Sequence, residues 1–306
     1  MSRKYKEIYD KSIKNKENFW KEVSENIFWY KKPTKILNSN NPPFYKWFED
    51  GITNTCYNAL DLHIDNGKGE KVAIIYDSPI TGVKKNISYN QLREKVSLFA
   101  GALKNQGITK GDRVIIYMPM IPEAVVAMLA CGRIGAVHSV VFGGFAANEL
   151  ASRIDDSKAK IIVTASCGYE PGRTVHYKPL VNKALELANH KPDKCIIFQR
   201  EKDKAELNPK IDITWEEAHK DIKPAECEQM NANDYAYILY TSGTTGLPKG
   251  IVRDIGGHIV ALKWTMKNIY NIEPDDVWWS ASDIGWIVGH SYIVYAPLFK
   301  GCTTVL

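Results

Sequence analysis

The residues best suited to chemistry lie in a glycine-rich stretch, residues 240–250, which directly follows an apolar run. Glycines let the backbone come close to a ligand, and exposed amides, hydroxyls and a lysine supply hydrogen-bond donors. Polyphosphate suits such a surface because it offers many acceptor oxygens and a high negative charge. The donors and glycines are Thr241, Ser242, Gly243, Thr244, Thr245, Gly246, Lys249 and Gly250.

Two other interpretations of this stretch are available. Runs of Ser, Thr and Gly often form flexible surface loops, but here a β-branched strand comes before and Pro-Lys-Gly ends the run. The P-loop pattern G-x-x-x-x-G-K-S/T is excluded because Pro248 stands where the glycine before the lysine should be. The pattern predicts a strand, a loop and a helix, with Gly256 and Gly257 near the helix start and the helix N-terminus facing the anion.

The elements that must position this loop follow an alternating pattern. Strands alternating with helices predict parallel βαβ units and an α/β core with helices on both faces. Ser88 and Gln91 predict a capping box at the start of a helix that ends at Gly107. Predicted strands are 72–76, 87–89, 113–118, 139–142, 161–165, 195–199, 235–240 and 277–281, and predicted helices are 122–134, 146–154, 175–188 and 292–298.

The remaining segments carry weaker patterns. Residues 5–27 are partly helical and are expected to pack on the main domain, residues 28–48 are expected to be extended, and 200–233 to form a link, with more pattern only at 215–219. The sequence stops at Leu306 inside an apolar strand pattern, which predicts that the chain is a fragment.

Composition narrows the class of protein. The 306 residues are 44% hydrophobic and carry a net charge of +5 without a long basic block, so neither nucleic acid nor a membrane is predicted as a partner. The N-terminus lacks an apolar signal region, so the cytoplasm is the expected location.

The six cysteines and seven histidines show no metal-ligand spacing, so no metal site of protein side chains is predicted, although Mg²⁺ is expected with a nucleotide. Oligomeric state cannot be predicted.

Three motifs together resemble one family. Residues 241–250 match the pattern T-S-G-S/T-T-G-x-P-K-G at each fixed position, residues 280–292 resemble A-D-x-G-W-x-x-G-H-S-Y, and residues 141–145 resemble an F-G-G-F turn. The chain is thereby similar to adenylate-forming enzymes of the acyl-CoA synthetase superfamily, and within it to the acetyl- and propionyl-CoA synthetases, most closely the propionyl type.

This resemblance implies the fold and the domains. The expected fold is the α/β large N-terminal domain of adenylate-forming enzymes, with stacked, mostly parallel sheets flanked by helices, here truncated. Residues 1–60 would form an N-terminal extension of the acetyl-CoA synthetase type, and residues 61–306 an incomplete AMP-binding domain. The adenine- and ribose-binding motifs and the small C-terminal domain with its adenylation lysine would lie beyond Leu306.

The resemblance also implies a reaction in two halves. A carboxylate attacks the α-phosphorus of ATP to give an acyl-adenylate and pyrophosphate, and the thiol of coenzyme A then displaces AMP. Such a reaction is accelerated mainly by positioning the reactants and by stabilising the charge that develops. Thr244 and Lys249 are therefore the expected catalytic residues, with Mg²⁺ between phosphate oxygens. The residues expected to bind ATP and pyrophosphate are Thr241, Ser242, Gly243, Thr244, Thr245, Gly246 and Lys249.

Acyl and CoA sites follow from the same likeness. Trp286, Ile287 and Val288 are expected to line the acyl pocket or the CoA tunnel beside it, and Val288 favours propionate over acetate modestly, since one methylene is worth about 1–3 kcal/mol. Core packing is the alternative role for these three. The residues expected to hold coenzyme A are Gly144, Glu170, Pro171, Gly172 and Arg173.

Two residues have a second possible role. Arg173 is expected to meet the 3′-phosphate of coenzyme A, and the alternative is a surface arginine without a ligand. His290 fits either a substrate contact or a core position. The chain as a whole also fits a non-catalytic nucleotide- or acyl-CoA-binding module. A phosphotransferase is disfavoured by Pro248 and by the lack of a Walker B candidate.

Overall fold

A computed structural model describes residues 3–241 and 248–306 of the protein. Helices and strands alternate along most of these two ranges, with π-helical turns at Tyr57–Asp61, Ile64–Lys68 and His290–Tyr295. The helices are α1 (Arg3–Lys14), α2 (Lys16–Ser24), α3 (Tyr89–Asn105), α4 (Pro122–Ile134), α5 (Ala147–Ser157), α6 (Tyr177–Leu187), α7 (Trp215–Ala218), α8 (Ile255–Asn268), α9 (Ile287–Gly289) and α10 (Ala296–Lys300). The strands are β1 (Leu37–Asn38), β2 (Lys46–Trp47), β3 (Ile52–Thr53), β4 (Val72–Ser78), β5 (Val83–Ser88), β6 (Arg113–Tyr117), β7 (Val137–Val140), β8 (Ile161–Ala165), β9 (Cys167–Glu170), β10 (Arg173–His176), β11 (Lys194–Phe198), β12 (Asp212–Thr214), β13 (Met230–Asn231), β14 (Tyr235–Thr241), β15 (Lys249–Asp254), β16 (Val277–Trp278) and β17 (Thr303–Val305).

The largest sheet confirms the predicted α/β class. In the described residues it has seven strands in the order β12-β11-β8-β6-β7-β14-β15. The pairs from β12 to β14 are parallel, and β15 adds an antiparallel edge to β14. The strands that alternate with helices in the chain are those that pair in parallel, as the pattern predicted.

Both faces of this sheet are covered by helices, which explains why its strands are continuous runs of apolar residues. Along β6, Val114 and Ile116 belong to the core cluster that contains α3 and α4, whereas Ile115 and Tyr117 belong to the cluster that contains α5 and α6. The chain runs from β6 to its neighbour β7, then crosses over to β8 on the other side of β6. Ligands of open α/β sheets bind at the carboxyl ends of the strands near such a reversal.

A second, mixed sheet has the strand order β16-β17-β4-β5. The predicted strand 72–76 is confirmed, but its return strand begins at Val83, so the predicted turn over 77–85 was too long. The first half of β5 was not predicted because it contains the charged residues Lys84 and Lys85. Both are exposed to solvent, since β5 lies at the edge of the sheet.

The predicted capping box at the start of α3 is confirmed. The Gln91 backbone N–H donates to Ser88 Oγ at 3.2 Å, and the Ser88 N–H donates to Gln91 Oε1 at 2.9 Å. Leu92, Val96 and Phe99 are fully buried on one face of the helix. This local pattern was sufficient for prediction, because the capping residues have a fixed spacing and the buried residues recur at helical intervals.

The N-terminal residues pack on the main body, as expected. Phe19 and Trp20 of α2 each lie with ring centroids 6.0 Å from Trp264 of α8. Residues 28–48 are mostly extended, with the short strands β1 and β2. No helix in the described residues is long and apolar enough to cross a bilayer.

One predicted helix starts later than expected. The helix predicted over 175–188 begins at Tyr177, because Arg173–His176 pair with Cys167–Glu170 as an antiparallel hairpin. Gly172 at the turn has φ of +76°, a conformation that favours glycine. The β-branched Thr174 and Val175 fit a strand better than a first helical turn.

Candidate functional site

The predicted site lies at the carboxyl edge of the seven-stranded sheet. β7 and β14 are parallel neighbours, with Tyr237 opposite His138. The chain after β7 forms the predicted F-G-G-F turn at Phe142–Phe145, and the glycine-rich loop follows β14. Because parallel strands end at the same edge, both segments leave the sheet side by side.

The base of the glycine-rich loop is a closed β-hairpin. Thr241, the last residue of β14, pairs with Lys249, the first residue of β15, and both are exposed. The Tyr240 hydroxyl donates to Asp156 Oδ2 at 2.7 Å, which ties this end of β14 to α5. Five predicted ligand residues lie outside the described residues, namely Ser242, Gly243, Thr244, Thr245 and Gly246.

The predicted helix is confirmed, with Gly256 and Gly257 in its first turn, but an additional strand that was not predicted separates it from the loop. The six residues Lys249–Asp254 form the antiparallel strand β15, and α8 begins only at Ile255. Sequence reasoning passed over the strand because Pro248 and Gly250 resemble loop residues, although Ile251 and Val252 are β-branched. The N-terminus of α8 therefore does not follow the loop, and an anion there would depend on loop amides, hydroxyls and Lys249.

The F-G-G-F turn and the motif around Trp286 form one aromatic cluster. The Trp286 ring centroid lies 5.5 Å from that of Phe142 and 5.9 Å from that of Phe145. Gly285 allows this approach, because a Cβ at that position would lie 2.7 Å from the Phe142 Cα. Two motifs that are far apart in sequence are thus in contact at the sheet edge.

The three predicted acyl-pocket residues form an exposed apolar surface. Trp286, Ile287 and Val288 are 48%, 49% and 52% exposed, at the start of α9. About half of each side chain therefore remains available to a ligand or to another part of the protein. Isolated exposed apolar residues are common, whereas these three are consecutive in the chain.

His290 is a core residue. It is fully buried, its Nε2 lies 3.1 Å from His138 Nε2, and its Nδ1 lies 3.2 Å from the carbonyl oxygen of Ile284. Burial lowers the pKa of His290 to about 3, so the ring is neutral near pH 7. The Tyr295 hydroxyl, 3.1 Å from His138 Nε2, extends this buried polar group.

The predicted CoA residues Glu170, Pro171, Gly172 and Arg173 lie at the tip of the β9–β10 hairpin. The guanidinium of Arg173 donates to Glu170 Oε2 at 2.6 Å, and both side chains are substantially exposed. Arg200 lies over the ring of Tyr169 in β9, 4.7 Å from its centroid. The hairpin therefore carries one cation at its tip, paired with its own acid, while a second cation from the chain after β11 lies over Tyr169.

Tyr177 contacts two of the segments near the predicted site, and no sequence motif pointed to it. A Cβ placed on Gly143 would lie 2.1 Å from the Tyr177 hydroxyl oxygen, and one on Gly168 would lie 2.7 Å from its ring, so the tyrosine touches both the F-G-G-F turn and strand β9 of the hairpin. Tyr117 packs against it with ring centroids 4.9 Å apart and donates to the Phe145 carbonyl at 2.7 Å. Burial raises the pKa of Tyr177 above its ordinary value. An aromatic residue after a hairpin has no distinctive sequence signal.

A cleft of about 800 Å³ opens at the same edge of the sheet, beside the hairpin. Tyr169 and Arg200 line it together with Trp215, and Lys95 and Glu123 add charge of both signs. Burial raises the pKa of Glu123. As far as the chain is described, none of the site residues predicted from sequence lines this cleft.

The sheet, its carboxyl-edge loops and the three motifs define an adenylate-forming type of enzyme domain. A family model for AMP-binding enzymes matches residues 63–306, and a model for the acetyl-coenzyme A synthetase N-terminus matches residues 5–59. The chain belongs to the AMP-binding enzyme family.

Similar proteins are short-chain acyl-CoA synthetases. The chain is 54% identical over 99% of its length to the mitochondrial acyl-CoA synthetase short-chain family member 3 of Rattus norvegicus, covering 44% of that protein. It is 43% identical to the acetyl-coenzyme A synthetase of Xanthobacter autotrophicus, over 99% of the chain and 47% of that protein. The chain thus spans somewhat less than half the length of the curated relatives it matches.

A solved structure has the same fold. The acetoacetyl-CoA synthetase of Streptomyces lividans superposes with a TM-score of 0.87 at 25% identity, over 97% of this chain and 45% of that one. The expected adenylate-forming fold is therefore confirmed.

Proposed function

We propose that the protein containing this chain activates a short-chain carboxylic acid, propionate in preference to acetate, to an acyl-adenylate and then to an acyl-CoA. The observation that carries the proposal is the position of two motifs. The glycine-rich motif leaves the carboxyl end of β14, and the F-G-G-F turn at the adjacent end of β7 packs on Trp286.

In the first half-reaction a carboxylate oxygen attacks the α-phosphorus of ATP, and the bond to the β-phosphate oxygen breaks to release pyrophosphate. Thr244 and Lys249 are the proposed catalytic residues, stabilising charge on the departing pyrophosphate. The remaining ligands of the phosphates are proposed to be Thr241, Ser242, Gly243, Thr245 and Gly246. The hairpin pairing of Thr241 with Lys249 supports this, because it brings both ends of the loop together.

Mg²⁺ is proposed to accompany ATP. The side-chain oxygens of the loop are the hydroxyls of Thr and Ser, which fit a cation carried mainly by phosphate oxygens and water. When bound, the ion neutralises phosphate charge; Lys249 adds a fixed positive charge at the exposed strand end.

In the second half-reaction the thiol of coenzyme A loses its proton and attacks the acyl carbon, and AMP leaves. Gly144 in the F-G-G-F turn and Glu170, Pro171, Gly172 and Arg173 on the hairpin are the proposed CoA contacts. Tyr177 supports this, since it packs against both segments and so fixes one relative to the other.

Specificity for the acid is proposed to reside in Trp286, Ile287 and Val288. Their exposed apolar surfaces support a role in lining a pocket that is completed by a ligand or by further chain. A valine at 288 offers one more apolar contact to propionate than to acetate, an advantage of about 1–3 kcal/mol.

We further propose that the 306 residues alone do not catalyse adenylation, because the relatives are more than twice as long. The division into an N-terminal extension, 1–60, and an incomplete AMP-binding domain, 61–306, remains our proposal, as does a cytoplasmic location. The rat relative is named mitochondrial, so fractionation of the source cells is the direct test of location.

The experiment that tests the function uses the protein encoded by the complete reading frame. Propionate-dependent exchange of pyrophosphate into ATP is measured first, and propionyl-CoA formation second, each against acetate. Exchange with propionate above acetate supports the proposal. A protein that binds ATP or acyl-CoA without exchange would be a binding module instead, and the enzyme assignment would be wrong.

A further inference from the structure

Outside the carboxyl edge of the sheet, three metal-ligating side chains meet. One Sγ each of Cys56 and Cys227 and a carboxylate oxygen of Asp61 all lie within 4.8 Å of one another. Cys56 and Asp61 bracket the first π-helical turn, and Cys227 lies in the segment between α7 and β13. We propose that this cluster, Cys56, Asp61 and Cys227, is a zinc-binding site.

The donor set suits zinc. Thiolates select soft or borderline metals, and two cysteines with one carboxylate are ligands that Zn²⁺ accepts in tetrahedral geometry. Cys227 Sγ lies 3.7 Å from Asp61 Oδ2. Tetrahedral zinc with bonds of about 2.3 Å to sulfur and about 2.0 Å to oxygen separates two such ligands by about 3.5 Å, so this pair needs little movement.

Arg133 supplies both orientation and charge balance. Its Nη1 donates to Asp61 Oδ2 at 2.8 Å and its Nη2 to Oδ1 at 3.1 Å, while Cys56 Sγ lies 3.6 Å from Nη1. Each carboxylate oxygen keeps a lone pair for a metal. The filled site would be neutral, because two thiolates and one carboxylate balance a divalent cation and one guanidinium. The metal-free thiol form is neutral as well, since the carboxylate balances the guanidinium. Binding would therefore release two thiol protons.

The backbone around Cys227 is fixed from both sides. Arg133 Nε donates to the Ala225 carbonyl at 2.6 Å, the Glu228 N–H donates to the Arg133 carbonyl at 2.8 Å, and Asn54 Nδ2 donates to the Glu228 carbonyl at 2.9 Å. These bonds place the cysteine without any metal. Such preorganisation by surrounding groups is typical of built metal sites.

Exposure provides an entry path. Cys56 is fully buried, whereas Cys227 is half-buried, so a cation reaches the cluster from the side of Cys227. With three protein ligands, a bound zinc ion would have a fourth position that water would fill. The site would then clamp the start of the main domain to the linker before β13, independently of the proposed acyl-CoA synthetase activity.

The test uses the 306-residue chain, stripped of metal with a chelator under reducing conditions. Zn²⁺ is titrated in competition with a chromophoric chelator, and Co²⁺ is added separately to look for thiolate-to-cobalt absorption. One equivalent per chain and a rise in Tm with Zn²⁺ are expected. Cys56→Ser and Cys227→Ser should each lose the binding, while Cys302→Ser, a buried cysteine that contacts Glu273 elsewhere, should bind like the wild type.

Two outcomes overturn the proposal. One is the absence of stoichiometric binding to the wild-type chain; the other is equal binding by Cys227→Ser. Formation of a Cys56–Cys227 disulfide on oxidation, with no zinc binding in the reduced chain, would assign the pair to redox chemistry instead. If Cys56→Ser does not fold, the half-buried Cys227→Ser variant and its Zn²⁺-dependent Tm decide the matter.

Discussion

The guanidinium of Arg173 is held by the carboxylate of Glu170 at 2.6 Å, at the tip of an exposed hairpin. Exposed ion pairs contribute only about 0–1 kcal/mol, so a phosphate can displace the carboxylate at little cost. Arg173→Ala should raise KM for coenzyme A about 10-fold or more, because a hydrogen bond to a charged group is worth about 1.5–3 kcal/mol. Pyrophosphate exchange should not change, since it precedes the entry of coenzyme A.

Glu170→Gln should have the opposite effect. Glutamine keeps a hydrogen-bonding side chain at this proposed CoA contact but removes the anion that competes for Arg173, so KM for coenzyme A should fall. Lys183→Ala, in the exposed Lys183–Glu186 pair, is the matched control and should leave KM unchanged. An unchanged KM in Arg173→Ala would show that the hairpin arginine does not meet the cofactor.

Acid selectivity should respond to Val288. Val288→Thr replaces a methyl with a hydroxyl and should lower the ratio of kcat/KM for propionate over acetate by about 10-fold. The comparison requires both acids with saturating ATP and coenzyme A. Val277→Thr, at another exposed valine, should leave the ratio unaltered; if wild-type enzyme already prefers acetate, the role assigned to Val288 is wrong.

Lys249 should matter in the first half-reaction. Removing one preorganised charge from a developing phosphate anion typically costs about 100–1000-fold in rate, so Lys249→Ala should lose pyrophosphate exchange by that factor. Gly246→Ala should also weaken exchange. Circular dichroism and Lys220→Ala, at an exposed lysine elsewhere, control for folding and for net charge. Full exchange in Lys249→Ala would contradict the assignment.

The pH dependence of stability should reflect the buried histidines. Burial lowers the pKa of His290 to about 3 and that of His63 to about 4, against about 6.5 in an unfolded chain. Between pH 6.5 and these values the unfolded chain binds protons that the folded chain does not. The free energy of unfolding should therefore fall as pH falls, by up to about 1.4 kcal/mol per pH unit for each histidine.

Urea unfolding between about pH 7 and pH 5 measures this slope. His290→Gln should show a shallower fall in unfolding free energy than the wild type, whatever its stability at pH 7. His176→Gln, at an exposed histidine, should keep the wild-type slope. Equal slopes for wild type and His290→Gln would mean that His290 is not buried in its neutral form.

Local patterns predicted the elements whose signals are local. The apolar run Arg113–Tyr117 is a strand buried on both faces, and Ser88 with Gln91 caps a helix, as expected. The strand Lys249–Asp254 was missed because it is exposed at an edge and begins with loop-like residues. Edge strands lose the alternation of buried and exposed residues on which such predictions depend.

Contacts between distant parts of the chain could not be predicted from spacing. Phe142 with Trp286 and Cys56 with Cys227 meet only through the sheet order and the crossovers. The expectation that the motifs serve one site rested on the family resemblance. Tyr177, which has no motif, was found only from its packing against Gly143 and Gly168.

A buried ion pair should dominate the stability of the α6 side of the sheet. Lys178 Nζ lies 2.8 Å from Asp212 Oδ2, and the two side chains are 2% and 0% exposed. Lys178→Met would leave a buried carboxylate unpaired, and breaking such a pair costs about 3–5 kcal/mol. Tm and the urea midpoint should both fall strongly.

The double variant Lys178→Met/Asp212→Asn should recover part of this loss, because no buried charge is then left without a partner. The neutral amide can still accept the hydrogen bond that the Asn208 N–H donates to Asp212 Oδ2 at 2.7 Å. Glu186→Gln, which breaks the exposed Lys183–Glu186 pair, should cost less than about 1 kcal/mol. If Lys178→Met cost no more than Glu186→Gln, the buried pair would not hold β12 and α6 together.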